Sequence, residues 1–400
     1  MTTPLPLDDL RVLDLTHFYN GPYATMLLSY LGADVIKIEG PPYGDGMRPL
    51  YKAEGKPFGI PFALMNSNKR AVTLNLKSDE GKAIFKKLVA KTDIVVENYA
   101  AGTMDSMGLG WDELRAINPR LIYASGTGYG LSGPNRSLPA FDPVVQANTG
   151  IMALTGATDG PPYKAGPAVV DILGSAHLFG GILAAVRQRD RTGKGQMVEL
   201  SLQESTLPSL STHIGAWYGM GMRNLRDGNH SSGSFVVPFN AYPALDGWVM
   251  ILAGDNLRWS KLCSLMGHPE FADDPRFAKA STRRKHQEII DNIIAEWTRT
   301  LTRQQIMDLL AAKDLFGGIV KEIDEVMTDP HLHERGTLRE IDHPQLGRMT
   351  IFTSPIRLNG EPNVPRSPAP MIGRDNDDFY AKELGLSADE IAALRDRKVI

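Results

Sequence analysis

The chain is poor in cysteine, in net charge and in long apolar runs, and each shortage narrows what it can be. Its 400 residues hold one cysteine, Cys263, so no disulfide can close within it and an oxidising compartment offers it nothing. Cys263 lies in the apolar run WSKLCSLM, where a buried core thiol is expected rather than a nucleophile. Lys and Arg number 43 against 46 Asp and Glu, a formal charge of -3. Such balance gives no bulk attraction to nucleic acid or to an anionic membrane. The opening MTTPLPLDDLRVLDL has neither a cationic start nor an apolar stretch, so no secretory signal is read there and a cytoplasmic setting is expected. The longest apolar segment, Ile172 to Val186, carries Ser175 and His177. It is shorter than the roughly 20 residues that span a bilayer, and a buried helix is expected.

Several chemical signatures are also missing. There is no G-x-x-x-x-G-K-[ST], no G-x-S-x-G and no H-E-x-x-H, and the 9 histidines show no metal-ligand spacing. No metal is therefore expected. Gly128, Gly130 and Gly133 match G-x-G-x-x-G after a strand, but Pro134 follows and no helix opens. The first strand–helix turn, THFYNGPYA, lacks the glycine triplet, although Glu39 ends the second strand as a ribose-binding acid would. Bound NAD is not expected, and the glycines read as a turn that needs close backbone approach. Asn135-Arg136-Ser137 fits a glycosylation acceptor by chance in a chain without a secretion signal.

What is present is a strand–helix rhythm. LRVLDLT, DVIKIE, AVTLNLK, DIVVENY and LIYASGTGYG read as strands, with GPYATMLLSYLGA, EGKAIFKKLVAKT and WDELRAINP as helices between them. A long helix is expected from Asp171, then a strand in MVELSLQES. This α/β alternation implies a mostly parallel sheet covered on both faces, a Rossmann-like large domain over residues 1–205. Residues 206–245 read as a linker rich in Gly, Ser, Asn and Pro. Residues 246–328 read as a small α+β domain with one strand, GWVMILAG, and several helices. Residues 329–400 read as a second linker and a C-terminal return to the large domain, ending in the helices DDFYAKELGL and SADEIAALRDRK.

Asp171, before a long apolar helix, would by itself read as an N-cap. Its surroundings say more. The blocks LRVLDLTHFYNGPYATMLLSYLGADVIKIE, MNSNKRAVTLNLK, DIVVENYAAGTMDSMGLG, INPRLIYASGTGYGLSGP, GPAVVDILGSAHLFGGILAAV, RTGKGQMVELSLQE and ELGLSADEIAALRDRKVI, in that order, resemble the family III CoA-transferases of the CaiB/BaiF type. The resemblance implies an acyl-CoA:carboxylate CoA-transferase, with coenzyme A carried as a thioester substrate and Asp171 as nucleophile. It implies that His17, Phe18, Tyr19, Leu74, Asn75, Leu76, Lys77, Asn98 and Tyr99 meet CoA, and that Asp142 stands near the reacting groups. The family's transferases carry arginines where this chain has Gly40 and Ser106, so Arg48, Lys69 or Arg70 are the candidate substitutes for phosphate contact.

The resemblance also implies a ring-shaped subunit in an interlocked homodimer. Three readings follow from it: an intermolecular CoA-transferase, a CoA-thioester isomerase (an α-methylacyl-CoA racemase or an intramolecular CoA shift), or a catalytically dead CoA-binding subunit paired with a related chain. The racemases need a base on each face of the α-carbon, and here Phe141 and Asn256 stand in those places. Formyl-CoA transferases carry a glutamine at Tyr19 and four glycines in a loop that here reads GNHSSGSFVVPFNAYP. A C4–C6 dicarboxylic acid is therefore expected over oxalate, with Tyr19, Asn20, His230 and Asn240 as candidates to line its pocket.

Overall fold

A computed structural model describes residues 4–56, 58–223 and 226–400. Six strands form one parallel sheet: β1 (Arg11–Asp14), β2 (Asp34–Glu39), β3 (Arg70–Thr73), β4 (Ile94–Glu97), β5 (Ile122–Thr127) and β6 (Gln196–Ser201). Their order is β3-β2-β1-β4-β5-β6, that of a doubly wound dinucleotide-binding sheet. The strands are apolar because helices cover both faces; all four residues of β4, IVVE, are buried. The helices between them carry local start signals. Asp79–Val89 is capped by Ser78, whose hydroxyl accepts from the Gly81 N–H, and it opens with Asp79 and Glu80, acids that suit the positive helix end.

The chain divides into two compact units. One comprises Met1–Val145, Pro167–Leu207 and Met327–Ile400; the other comprises Gln146–Gly166 and Pro208–Val326. The first holds the parallel sheet, its core around Leu13, Ile36, Phe85, Val95, Tyr123 and Tyr380, and a hairpin of β10 (Leu338–His343) and β11 (Gly347–Phe352). The second holds an antiparallel sheet of β7 (Phe239–Ala244), β8 (Gly247–Leu252) and β9 (Phe316–Ile319). Helices Asn256–Leu265, Gln287–Thr298 and Arg303–Ala311 accompany it around a core with Trp259, Phe277 and Cys263. Cys263 is fully buried, and burial pushes its thiol up to about 12, as befits a core residue.

Four expectations need correction. The stretch 206–245 carries the helix Ser211–Met220 and strand β7, because its glycines and prolines punctuate elements rather than replace them. The small unit has three strands instead of one. β7 (FNAYPA) contains a proline and β9 (FGGI) two glycines, residues that mask a strand. In AVTLNLK the strand ends at Thr73; the Leu74 N–H still donates to the Glu39 carbonyl at 2.8 Å, and the chain turns at Leu76 and Lys77. The long helix is Val169–Thr192, and it is not buried all round. Val170, Gly174, Ser175, Leu178, Phe179, Ile182, Ala185 and Arg189 form a buried stripe, while Ala176, His177, Gly180 and Ala184 are exposed.

Candidate active site

In a doubly wound sheet the connections of neighbouring strands part company where the order reverses, here between β1 and β4, and a crevice opens beyond their carboxyl ends. His17 and Phe18 follow β1; Asn98 and Tyr99 follow β4. A reciprocal pair of bonds joins the two loops: the His17 N–H donates to Asn98 Oδ1 at 2.8 Å, and Asn98 Nδ2 donates to the His17 carbonyl at 2.8 Å. The His17 ring lies 5.7 Å from that of Tyr99. Burial and the cation of Lys37 lower the His17 pKa, so the imidazole is neutral at physiological pH. Phe18 has φ +62°, a left-handed conformation that costs a bulky side chain strain. Its N–H is held by Asp45 Oδ1 at 3.2 Å, and a Cβ on Gly46 would stand 2.7 Å from its ring. That glycine is what lets the ring lie there.

Asp171 enters this crevice from the first turn of the helix Val169–Thr192. It is not the cap. Asp142 Oδ2 accepts from the N–H groups of Val170 at 2.8 Å and Asp171 at 3.1 Å, so a second carboxylate already balances the positive end of the helix dipole. The Asp171 carboxylate is left half-buried, with no hydrogen-bond donor to it among the described residues. Burial, and then the neighbouring charge of Asp142, raise its pKa from 3.8 to about 7. A carboxylate that basic is the stronger nucleophile once ionised.

The crevice is a cavity of about 420 Å³ whose lining includes His17, Phe18, Asn98, Tyr99 and Asp171. Six of the expected site residues, these five and Asn20, therefore meet in one place. Asp142 stands behind Asp171 and acts on it through the bonds just described. Tyr19 is outside the lining and packs with Met47, Phe58 and Phe62, within electrostatic reach of Asp171. Leu74, Asn75 and Lys77 are also outside it. Leu74 and Leu76 are core residues. Asn75 binds the Val399 carbonyl through its N–H and accepts the Lys77 N–H on Oδ1. Lys77 is exposed at this turn. His230 and Asn240 lie in the second unit, where His230 Nε2 is 2.7 Å from Asp291 Oδ2 and 3.0 Å from Asn240 Nδ2.

The three substitute cations are engaged elsewhere. Arg48 grips Glu39 through Nε at 2.7 Å and stacks on Phe62, 3.8 Å from its centroid. Lys69 is buried on Asp14 Oδ2 at 2.9 Å, with Thr25 and Asn66 as further partners. Arg70 holds Asp34 at 3.0 Å through Nε and lies over Phe379. Unpaired buried charge is costly, so Glu39 and Asp14 fix Arg48 and Lys69 inside the fold, while Asp34 holds Arg70 in a partly exposed pair. Glu39, bound to Arg48, is equally not free for a ribose. The cleft wall also contains Asn20, one of the expected pocket residues, and residues that sequence reasoning passed over: Arg136 and Leu202, with Pro139 and Ala140. Arg136 is exposed, in the loop after the glycine-rich turn. The glycines there do serve close approach, since a Cβ on Gly128 would lie 2.1 Å from that of Ala140.

A doubly wound α/β subunit with a basic, partly buried carboxylate at its switch point defines an enzyme with an acid poised for nucleophilic or proton-transfer work. The comparisons narrow this class. The family model CoA-transferase family III matches residues 7–376. A succinyl-CoA–D-citramalate CoA-transferase of Chloroflexus aurantiacus is 36% identical, over 99% of this chain and 98% of that one. A succinyl-CoA:mesaconate CoA-transferase of Haloarcula marismortui is 38% identical, over 92% of this chain and 93% of that one. The crystal structure of a CaiB/BaiF family protein from Brucella suis superposes with a TM-score of 0.85 at 31% identity, covering 95% of this chain and 100% of that one. The chain belongs to CoA-transferase family III; it is a transferase that uses coenzyme A as a thioester substrate.

Proposed function

We propose that this enzyme moves CoA between short dicarboxylic acids of four to six carbons through a thioester on Asp171. The observation that carries the reading is the Asp171 carboxylate, half-buried, basic and unbonded, in a cleft at the switch point. Its oxygen attacks the thioester carbonyl and the C–S bond breaks, leaving CoA thiolate and a mixed acyl–aspartyl anhydride. The thiolate then attacks the aspartyl carbonyl. The anhydride C–O bond breaks, the donor acid leaves as its carboxylate, and an aspartyl-CoA thioester remains. The acceptor carboxylate repeats both steps in reverse and restores Asp171. No net proton, metal or nicotinamide is needed, and each step exchanges one activated acyl group for another.

His17, Phe18, Asn98 and Tyr99 would hold the pantetheine end. Lys77 stands at the same carboxyl edge of the sheet, beyond β3 and two strands from β1, about 10 Å away at ordinary strand spacing. CoA is long enough to bring its phosphates there, so Lys77 and the exposed Arg136 are the candidate phosphate contacts. The similarity to enzymes named for citramalate and mesaconate supports the dicarboxylate class. The reading carries with it a homodimer, interlocked as in the family, and a cytoplasmic setting. Racemisation is disfavoured: Phe141 takes no proton, and the Asn256 side-chain oxygen is held at 3.1 Å by Arg283 Nη1.

The test is chemical trapping. Hydroxylamine cleaves anhydrides and thioesters and spares carboxylates. With succinyl-CoA and no acceptor it is expected to inactivate the enzyme and leave a hydroxamate on the Asp171 peptide; without the thioester it should do neither. Full activity and an unmodified peptide after both reagents would rule out the covalent route.

A further inference from the structure

Asn20 opens the helix Asn20–Tyr30 and is 3% exposed. Its Nδ2 donates to the backbone carbonyl of Asp171 at 3.3 Å. Ser175 Oγ reaches the same carbonyl at 2.7 Å and also bonds the Asn20 carbonyl. The other end of the carboxamide is different. Asn20 Oδ1 is buried, and among the described residues no donor reaches it. Two glycines leave the room it occupies: a Cβ on Gly126 would stand 2.5 Å from Oδ1, and one on Gly174 would stand 2.5 Å from Nδ2. Asn20, Gly126 and Asp171 all belong to the cleft wall. A buried amide oxygen without a donor is unfavourable, and here it is held in place by its own Nδ2, against the nucleophile, in the cavity where substrate must sit.

We propose that Asn20 Oδ1 accepts a hydrogen bond from an O–H or N–H that the substrate carries close to its thioester carbon, and that Asn20 thereby selects the substrate. The inference rests on the CoA-transfer reading above. Two donors accompany the thioester of a short acid into such a cleft: a hydroxyl on the acid's own carbon chain, and the pantetheine amide nearest the sulfur. A site built around such a bond rejects an analogue that lacks the donor.

The experiment compares Asn20→Ala and Asn20→Leu with wild type, using malate and succinate as acceptors that differ by one hydroxyl. Rates are read beside calorimetric binding of acetyl-CoA and of each acid. If the acid's hydroxyl is the donor, KM for malate rises by about tenfold or more while that for succinate is unchanged. If the pantetheine amide is the donor, acetyl-CoA binding weakens by a similar factor and both acids are affected alike. Asn20→Asp keeps an acceptor oxygen and loses the Nδ2 donor, so it is expected to recover most of the binding loss. Leucine fills the carboxamide's volume without an acceptor, and carries the test if the alanine variant does not fold. Binding and KM within twofold of wild type in both variants, or a fall in kcat alone, would overturn the proposal and leave Asn20 only as a brace for Asp171. A wild type that binds both ligands but transfers no CoA would sink the functional reading instead, while the binding arm still reads Asn20.

Discussion

Asp142→Asn isolates what one charge does to Asp171. Asparagine keeps a side-chain oxygen to accept the Val170 and Asp171 N–H groups, now held at 2.8 and 3.1 Å, so the cap survives while the charge goes. Asp171 rises from 3.8 to about 7, with burial the larger cause and Asp142 the second. Asp142 therefore accounts for less than half of that rise. Only the carboxylate attacks. Wild-type kcat/KM should therefore fall as pH drops through about 7, and near pH 5 reach about a hundredth of its plateau. Removing a neighbouring negative charge favours the ionised form. In the variant the acid limb should move to lower pH, and near pH 5 a larger share of the plateau should remain than in wild type. Initial rates of thioester exchange across this range, followed by liquid chromatography on protein checked by circular dichroism, measure both curves. An acid limb at the same pH in both proteins, or a wild-type profile that stays flat down to about pH 5, would refute the reasoning.

Two further outcomes are expected. Because the folded state binds the Asp171 proton more tightly than the unfolded chain, this group's favourable contribution is present at low pH and is lost as pH rises from 3.8 to about 7. Asp171→Asn should thus be more stable than wild type near pH 8, by on the order of 4 kcal/mol, with the difference gone near pH 4; calorimetry showing no pH-dependent gain would contradict the burial argument. Phe141 is 60% exposed and meets Phe18 edge-on at 5.8 Å in the cleft wall. Phe141→Ala should admit water to the aspartyl thioester and raise the ratio of hydrolysis to transfer about tenfold, read as free CoA released without acceptor. An unchanged ratio would mean that the ring excludes nothing.

The large sheet was legible because its signals are local. IVVE and DVIKIE are runs of strand length built on Val and Ile, and Ser78 announces the helix that follows it. The small sheet was not, since β7 and β9 exist through pairing with β8 and their own residues argue against strand. The role of Asp171 came from resemblance; spacing alone made it a cap, and the cap is Asp142, 29 residues earlier in the chain. Lys69 and Arg48 were misjudged for a related reason. A cation reads the same whether it faces water or an interior acid, and the acids that bury these two, Asp14 and Glu39, come from other strands. Asn20 was named in the sequence as a pocket residue, but not for the side-chain oxygen that finds no donor among the described residues.

The order in which a ribosome delivers this chain gives the edge strand β3 a particular history. Ala71 bonds the Asp375 carboxylate, 304 residues later, and Thr73 is held by Asn376 and by the Tyr380 hydroxyl. Phe379, Ile391, Leu394, Val399 and Ile400 complete the core beneath it. All six strands of the sheet have been made by Ser201, yet the residues that cover β3 emerge only after the whole of Pro208–Val326. For most of its synthesis the nascent protein thus displays an uncovered β edge above an unfinished apolar core, the form most prone to pair with a neighbour. Chains halted before residue 375 are the ones expected to aggregate.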